Sequence, residues 1–359
     1  MPRRSSLPRV GVIGTGYISG TYLAHAADFG LEVVAVADLD PERARSAAAE
    51  HGVAVVSAVA ELPCRADVDV VLNLTVPAAH AEVTGAAIEA GRHVYVEKPL
   101  AVWREDGLRL VEAAADAGVR IGVAPDTFLG DGIQTCRRLI DAGAIGEPIG
   151  GAVVMACHGH ESWHPSPEFY YQAGGGPLMD MGPYYITALI SLLGPVRRVS
   201  AASGASLAER TIGSGPRAGT RFPVEVPTHI AGTLEFASGA IVSLLMTFDV
   251  WATRLPRFEL FGTEGSLDGP DPNTFAGPVQ VWRTSRGEWE PAPLHQSGRP
   301  QSRGLGLAEM MAAIADGRPH RASGELGLHV LDVMHGLVES AAQGRHVTMS
   351  TSCGRPEPI

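Results

Sequence analysis

A chain of 359 residues with 45% apolar side chains is long enough to bury the cores of two ordinary domains. Its formal charge of −11 argues against nucleic acid as a partner, and no apolar run approaches the ~20 residues of a membrane span. Its first residues, MPRRSSLPRV, include no apolar stretch of the kind a secretory signal needs, and residues 1–7 read as a frayed tail.

In chain order, residues 9–13 (RVGVI) form a short apolar strand, followed by GTGYISG and a helix ending at Gly30. A second strand spans 31–37 and is closed by Asp38; Asp40 caps a helix that Pro41 opens. Residues 53–56 form a weak third strand and 68–74 a strong fourth. A helix over 78–90 stops at Gly91, and the next strand ends at Glu97. A helix over 105–117 and a strand over 119–123 complete this half. Strands alternating with helices imply βαβ units and a doubly wound parallel sheet, the Rossmann arrangement, over residues 1–125.

Residues 126–359 read as an α+β domain with an open, mostly antiparallel sheet. Helices are expected over 130–143 and 178–193, and strands over 149–158, 196–202, 229–236, 240–249, 257–261 and 279–283. Residues 205–223, rich in Gly and Arg, read as a surface loop. The tail returns to helices at 306–315 and 324–342, the last of which is expected to pack back on the first domain. Cys64, Cys136, Cys157 and Cys353 are far apart, with no CxxC pair, which fits a reduced, cytoplasmic protein.

Four stretches carry chemistry. The first is Gly14-Thr15-Gly16-Tyr17-Ile18-Ser19, a G-x-G-x-x-G turn with Ser19 in place of the third glycine. Gly14 permits the tight turn, and Gly16 lets a pyrophosphate approach the helix N-terminus. Asp38, at the end of the next strand, would take the adenosine ribose hydroxyls. Its charge favours NAD over NADP, although Arg43 keeps NADP open. The second is Asn73-Leu74-Thr75-Val76-Pro77 with His80, after the fourth strand and beside the cofactor, together with Glu97-Lys98-Pro99 at the end of the fifth. A lysine fixed at a strand's carboxyl end, where the ligand crevice of such a sheet opens, is a candidate for proton chemistry.

The third stretch runs from Gly174 to Tyr185. Asp180 and Tyr184 are four residues apart on one helical face, where an acid and a phenol can hold a sugar diol and relay a proton. The fourth is His158-Gly159-His160-Glu161-Ser162-Trp163-His164-Pro165. Its H-x-H-x3-H spacing matches neither a zinc finger nor HExxH, so no metal is expected. His158, Trp163 and His164 suit the wall of a polyol site instead.

With these stretches in this order, the chain resembles the glucose–fructose oxidoreductase / inositol dehydrogenase / MocA family of NAD(P)-dependent oxidoreductases. The FELFGTEGSL segment at 258–267 adds to the resemblance, which covers nearly the whole chain. It implies that Gly14, Thr15, Gly16, Tyr17, Ile18, Asp38, Thr75, Pro77, His80, Glu97 and Lys98 bind the cofactor. It also implies that Lys98 lies between nicotinamide and substrate, and that Asp180 contacts substrate. The acid/base four residues further on is commonly His in the family; here it is Tyr184. Phenol and ammonium have similar reference pKa values of about 10. Tyr184 as base with Lys98 as electrostatic aid, and Lys98 as base with Tyr184 as orienter, therefore both stand, and the reading leans to Tyr184.

The expected activity is hydride transfer between the cofactor and a hydroxyl or keto carbon of a sugar, cyclitol or related polyol. A redox-cycling lyase or glycosidase and a non-catalytic NAD-binding sensor are the alternatives. The resemblance further implies a homodimer or homotetramer formed through the open sheet, in which residues 231–236 and 241–245 supply an apolar face.

Overall fold

The computed structural model describes residues 8–359, so the tail read at 1–7 lies outside the described residues. In the first part of the chain, strands β1 (Arg9–Ile13), β2 (Glu32–Ala37), β3 (Val55–Val56), β4 (Val70–Asn73), β5 (His93–Val96) and β6 (Ile121–Val123) alternate with helices α1 (Ser19–His25), α2 (Pro41–His51), α3 (Pro77–Glu89) and α4 (Arg104–Ala117). Helices α5 (Asp131–Asp141) and α6 (Gly176–Leu193) flank β7 (Pro148–Ala156). Strands β8 (Val196–Gly204), β9 (Glu209–Thr211), β10 (Arg221–Pro223), β11 (His229–Phe236), β12 (Ile241–Thr247), β13 (Phe258–Gly262), β14 (Gly265–Asp268), β15 (Gln280–Arg283) and β16 (Trp289–Pro291) follow. Helices α7 (Leu305–Ala315) and α8 (Gly324–Gln343) and strand β17 (Val347–Thr348) end the chain. It divides into two compact units, residues 1–126 with 298–328, and residues 127–297 with 329–359.

The first unit is built on a six-stranded parallel sheet in the order β3-β2-β1-β4-β5-β6. β4 is buried along its whole length and β5 nearly so, as a sheet covered on both faces requires. The strand order reverses between β1 and β4, the switch point at which such sheets bind ligands. Register aligns the carboxyl ends: Ile13 pairs with Ala37 and Asn73, Asn73 with Val96, and Val96 with Val123. Gly14, Asp38, Leu74 and Glu97, each the next residue in its strand, therefore emerge along one edge. Asp40 caps α2 as expected, accepting from the backbone N–H groups of Glu42 and Arg43.

Residues 298–328 close this unit. The buried Asp126 carboxylate accepts from the Gly304 and Gly306 N–H groups at 3.0 Å each, and Arg303 lies 3.3 Å away. The Val123 N–H donates to the Ala322 carbonyl at 2.9 Å, extending the β6 edge.

The second unit carries a nine-stranded sheet in the order β16-β15-β14-β13-β7-β12-β11-β8-β17. Every pairing is antiparallel except β7 with β12. The fold class thus agrees with the expectation of a parallel Rossmann sheet followed by an α+β domain with a mostly antiparallel sheet. Helix α6 is buried along most of its length, which explains its nearly unbroken apolar sequence.

One expectation is overturned. Residues 205–223 are not a plain surface loop: β9 and β10 pair as a two-stranded sheet, and Arg210, Ile212 and Phe222 are buried. Its Gly/Arg-rich composition conceals that Arg210 is drawn inward by two carboxylates.

Candidate functional site

In the first unit, the glycine turn between β1 and α1 has its expected form. Gly14 has φ +94°, and a Cβ there would lie 2.6 Å from the Leu74 carbonyl, so only glycine fits between the ends of β1 and β4. Beside Gly16 no protein atom lies within 4 Å of a Cβ position, so the space above the turn is open. Ser19 is buried and its Oγ donates to the Gly16 carbonyl at 2.7 Å, which is how a serine substitutes for the third glycine. Tyr17 is 95% exposed, and Ile18 stands at the helix N-cap.

Asp38 accepts from the Thr15 N–H at 2.7 Å, the Thr15 hydroxyl at 3.0 Å and the Asp40 N–H at 2.9 Å. Partial burial pushes its pKa up, but these hydrogen bonds and the Arg43 charge outweigh it and hold the carboxyl below its ordinary range. An open cleft beside it is lined by Leu39, Pro41, Ala44 and residues 56–59. An ionised carboxylate next to an apolar slot, with an open glycine turn alongside, fits an adenosine whose ribose binds the carboxylate and whose pyrophosphate crosses the turn.

The Glu97-Lys98-Pro99 segment follows β5 and includes a cis Lys98–Pro99 bond. Glu97 is buried; it accepts from the Tyr22 hydroxyl at 2.8 Å through one oxygen and from the Lys98 N–H at 3.0 Å through the other. Lys98 is half-buried. His80 is fully buried at the start of α3, with Nδ1 2.6 Å from the Pro99 carbonyl oxygen and Nε2 3.0 Å from that of Thr75. Burial lowers its pKa despite both carbonyls. A neutral ring donates one hydrogen bond, and the shorter contact marks Pro99 as its acceptor. His80 thus ties the segment after β4 to the segment after β5, and Pro77 occupies the first turn of the same helix.

In the second unit, Asp180 and Tyr184 lie one turn apart on α6, with Tyr184 buried at 7% exposure. Asp180 is engaged by His160, whose Nε2 is 3.0 Å from Oδ2, and both side chains are 15% exposed. The aromatic segment before α6 surrounds this pair. The His160 ring meets Tyr170 at 4.5 Å, Phe248 at 4.7 Å and Trp163 at 5.3 Å between centroids. His164 packs edge-on to Trp163, Phe169 and Tyr170, and burial lowers its pKa. His158 stacks on Trp251 at 3.3 Å. Trp163, Phe169 and Trp251 keep exposed faces, as polyol stacking requires. Among the described residues, no group of three or more His, Cys, Asp or Glu is arranged to hold a metal ion.

Four residues were missed by the sequence reading: His160, Trp251, Tyr22 and Arg210. His160 stood in the histidine-rich stretch, but nothing in its spacing distinguished it from His158 or His164. Arg210 is buried between Glu161, at 2.7 Å, and Asp249, and anchors the residue next to His160.

Comparison with known proteins adds to this geometry. Residues 8–124 match a family model described as an oxidoreductase family with an NAD-binding Rossmann fold, and residues 133–268 match the GFO/IDH/MocA C-terminal domain. The chain is 32% identical to a 1,5-anhydro-D-fructose reductase from Ensifer adhaerens, over 96% of this chain and 99% of that one. It is 27% identical to a levoglucosan dehydrogenase from Pseudarthrobacter phenanthrenivorans, over 77% and 79% of the two chains. Among solved structures, a levoglucosan dehydrogenase in complex with NADH and L-sorbose superposes with a TM-score of 0.81 at 25% identity, covering 96% of this chain and 99% of that one. An NAD-binding oxidoreductase from Klebsiella pneumoniae superposes with a TM-score of 0.83 at 24% identity, covering 97% of this chain and 100% of that one.

Proposed function

Since the chain belongs to the GFO/IDH/MocA family of NAD-binding oxidoreductases, we propose that its substrate is a sugar, cyclitol or related polyol, interconverted between hydroxyl and keto forms. The observation that carries this reading is the presence in one chain of an ionised Asp38 beside an open glycine turn and a Lys98 held at its backbone by the buried Glu97. The end-to-end similarity to a sugar reductase supports it.

The bound nicotinamide supplies the hydride acceptor or donor. Residues 1–125, with the returning segment 298–328, serve as the cofactor-binding domain, and the remainder of 126–359 as the domain for substrate and assembly. Gly14, Thr15, Gly16, Tyr17 and Ile18 receive the pyrophosphate, and Asp38 receives the ribose. Thr75, Pro77 and His80 shape the adjoining wall, with Glu97 and Lys98 next to it. Lys98 supplies positive charge to the substrate oxygen as its bonding changes, which stabilises the developing negative charge. Asp180 positions neighbouring hydroxyls, and Tyr184 presents its phenol from the same helical face. His158, Trp163 and His164 pack against the carbon skeleton.

The test is a panel of 1,5-anhydro-D-fructose with NADH, and levoglucosan, myo-inositol and D-xylose with NAD, followed by NADH absorbance and thermal shift. Stoichiometric NADH change with at least one sugar is the expected result. Bound NAD without any turnover would favour a sensor, and product without net NADH a redox-cycling lyase or glycosidase.

We further propose a homodimer or homotetramer assembled through the open face of the nine-stranded sheet. Ala202, Ala231, Ile241, Ser243 and Phe261 are all exposed on that face, beside Ser200, Thr233 and the Arg198–Glu235 ion pair, a mixed surface on which Ile241 and Phe261 offer apolar contact to a second copy. The reading places the protein in the cytoplasm, where cysteines stay reduced. Among the described residues, no helix is long and apolar enough to cross a membrane.

A further inference from the structure

Helix α6 carries Asp180 and, one turn on, a phenol. One partner of Asp180 is an imidazole from another segment: His160 Nε2 lies 3.0 Å from Asp180 Oδ2. A carboxylate only accepts, so the proton of this bond sits on Nε2; in the neutral form of the ring, Nδ1 is then a bare lone pair. Nδ1 has no hydrogen-bond partner among the described residues. An acid that fixes the tautomer of an imidazole and leaves the opposite nitrogen ready to accept is the arrangement that general-base catalysis needs.

The loop bearing His160 is held rigidly. The Glu161 carbonyl accepts from the Gly213 N–H at 2.7 Å, and its carboxylate accepts from Arg210 and from the Tyr171 hydroxyl. Gly159 has φ +81°, and a Cβ there would meet Glu161 and the Tyr171 hydroxyl at 2.2 Å. The ring therefore has one orientation, walled by Tyr170, Phe248 and Trp163.

We infer that His160, oriented by Asp180, is the catalytic base that takes the substrate hydroxyl proton, and that Tyr184 orients the hydroxyl without accepting its proton. The inference rests on the dehydrogenase reading above. In the oxidation direction, the substrate C–H bond breaks with its electron pair passing to the nicotinamide of NAD. The O–H proton passes to His160 Nδ1, and the carbon–oxygen double bond forms. An imidazole is largely neutral at pH 7.5, whereas a phenol with a reference pKa of about 10 is protonated there and cannot act as a base without first losing its proton.

Two measurements on the full-length protein test this. The first is long-range 1H–15N correlation NMR of the histidine rings at pH 8, with His160 assigned by loss of its signals in His160→Gln. The expected result is a proton on Nε2 and none on Nδ1, with that preference weakened in Asp180→Asn; a proton on Nδ1 overturns the inference whatever the kinetics show. The second is turnover. His160→Ala should lower kcat by about 100-fold or more and be partly rescued by added imidazole, while Tyr184→Phe should lower it by no more than about tenfold. A His160→Ala enzyme turning over like wild type, or a larger loss in Tyr184→Phe than in His160→Ala, overturns it. Wild-type inactivity across the whole sugar panel would instead defeat the functional reading, and the inference with it.

Discussion

The Tyr22 hydroxyl donates to the buried Glu97 carboxylate at 2.8 Å, and the other oxygen of that carboxylate receives the Lys98 N–H at 3.0 Å. One residue of α1 thereby sets the main-chain position of the lysine after β5. Burial, followed by the charge of Glu97, raises the Tyr22 pKa well above its ordinary value, so the phenol remains a donor. Tyr22→Phe removes one of the contacts to a buried carboxylate and should cost about 1.5–3 kcal/mol of stability. It should also lower kcat more than it raises KM, because Lys98 stays present but less well placed. Urea denaturation and steady-state kinetics check this; an unchanged midpoint would show that the contact contributes nothing.

Buried histidines make stability depend on pH. The Val196 N–H donates to His329 Nε2 at 3.0 Å, and the Arg120 N–H donates to His93 Nδ1 at 3.0 Å, so both rings must be unprotonated at those atoms. Burial lowers the pKa of His329 despite Asp332, and burial with the Arg120 charge lowers that of His93. The unfolded chain takes up these protons near pH ~6.5, and the folded chain does so only at lower pH. Unfolding therefore gains protons within that window. The stabilisation is complete above it and is lost as pH falls below ~6.5, at about 1.4 kcal/mol per unit of difference. The urea midpoint should be lower at pH 5.5 than at pH 8, and the difference should shrink in His329→Gln. A midpoint that does not change between the two pH values contradicts the argument.

Asp38 has two functions that a single substitution can separate. It holds the glycine turn through Thr15, and under the proposed function its charge faces the ribose. Asp38→Asn keeps an acceptor for Thr15 and removes the charge. NAD should bind about tenfold more weakly, the equivalent of ~1.4 kcal/mol, while NADP binding should improve, because the repulsion of its 2′-phosphate is gone. Fluorescence titration of both cofactors measures the ratio. An unchanged NAD/NADP ratio would show that the charge does not discriminate between them.

How far the sequence could be read depended on the range of each interaction. The parallel sheet was legible because its strands are short apolar runs between helices, and Asp38 and Asp40 because caps and strand ends are local features. Ser19 was legible as a stand-in for glycine because small size is all that position demands. The contact between His160 and Asp180 was not, since it joins residues 20 apart across a loop whose path no local rule specifies. Neither was the contact between Tyr22 and Glu97, which spans 75 residues. β17 has two residues, too few to show a period, and β3, also of two, was legible only as a weak strand over 53–56.

Arg210 was the least legible of all, and it yields the largest expected stability effect. It is 3% exposed, donates to Glu161 at 2.7 Å and to the Phe248 carbonyl at 3.1 Å, and pairs with Asp249. Asp249 also accepts from the Thr228 hydroxyl at 2.8 Å. Arg210→Met would leave two buried carboxylates without their shared cation, and breaking a buried pair in this way costs about 3–5 kcal/mol. Arg217 pairs with Glu168 in the same insertion, but its side chain is 50% exposed, so Arg217→Ala should change stability by no more than about 0.5 kcal/mol. Because Glu161 adjoins His160, the Arg210 variant should also lose turnover at temperatures below its own melting transition, and the Arg217 variant should not. Thermal melts and kinetics of the two variants side by side decide the matter. Equal effects would mean that the buried network does no more than an exposed ion pair.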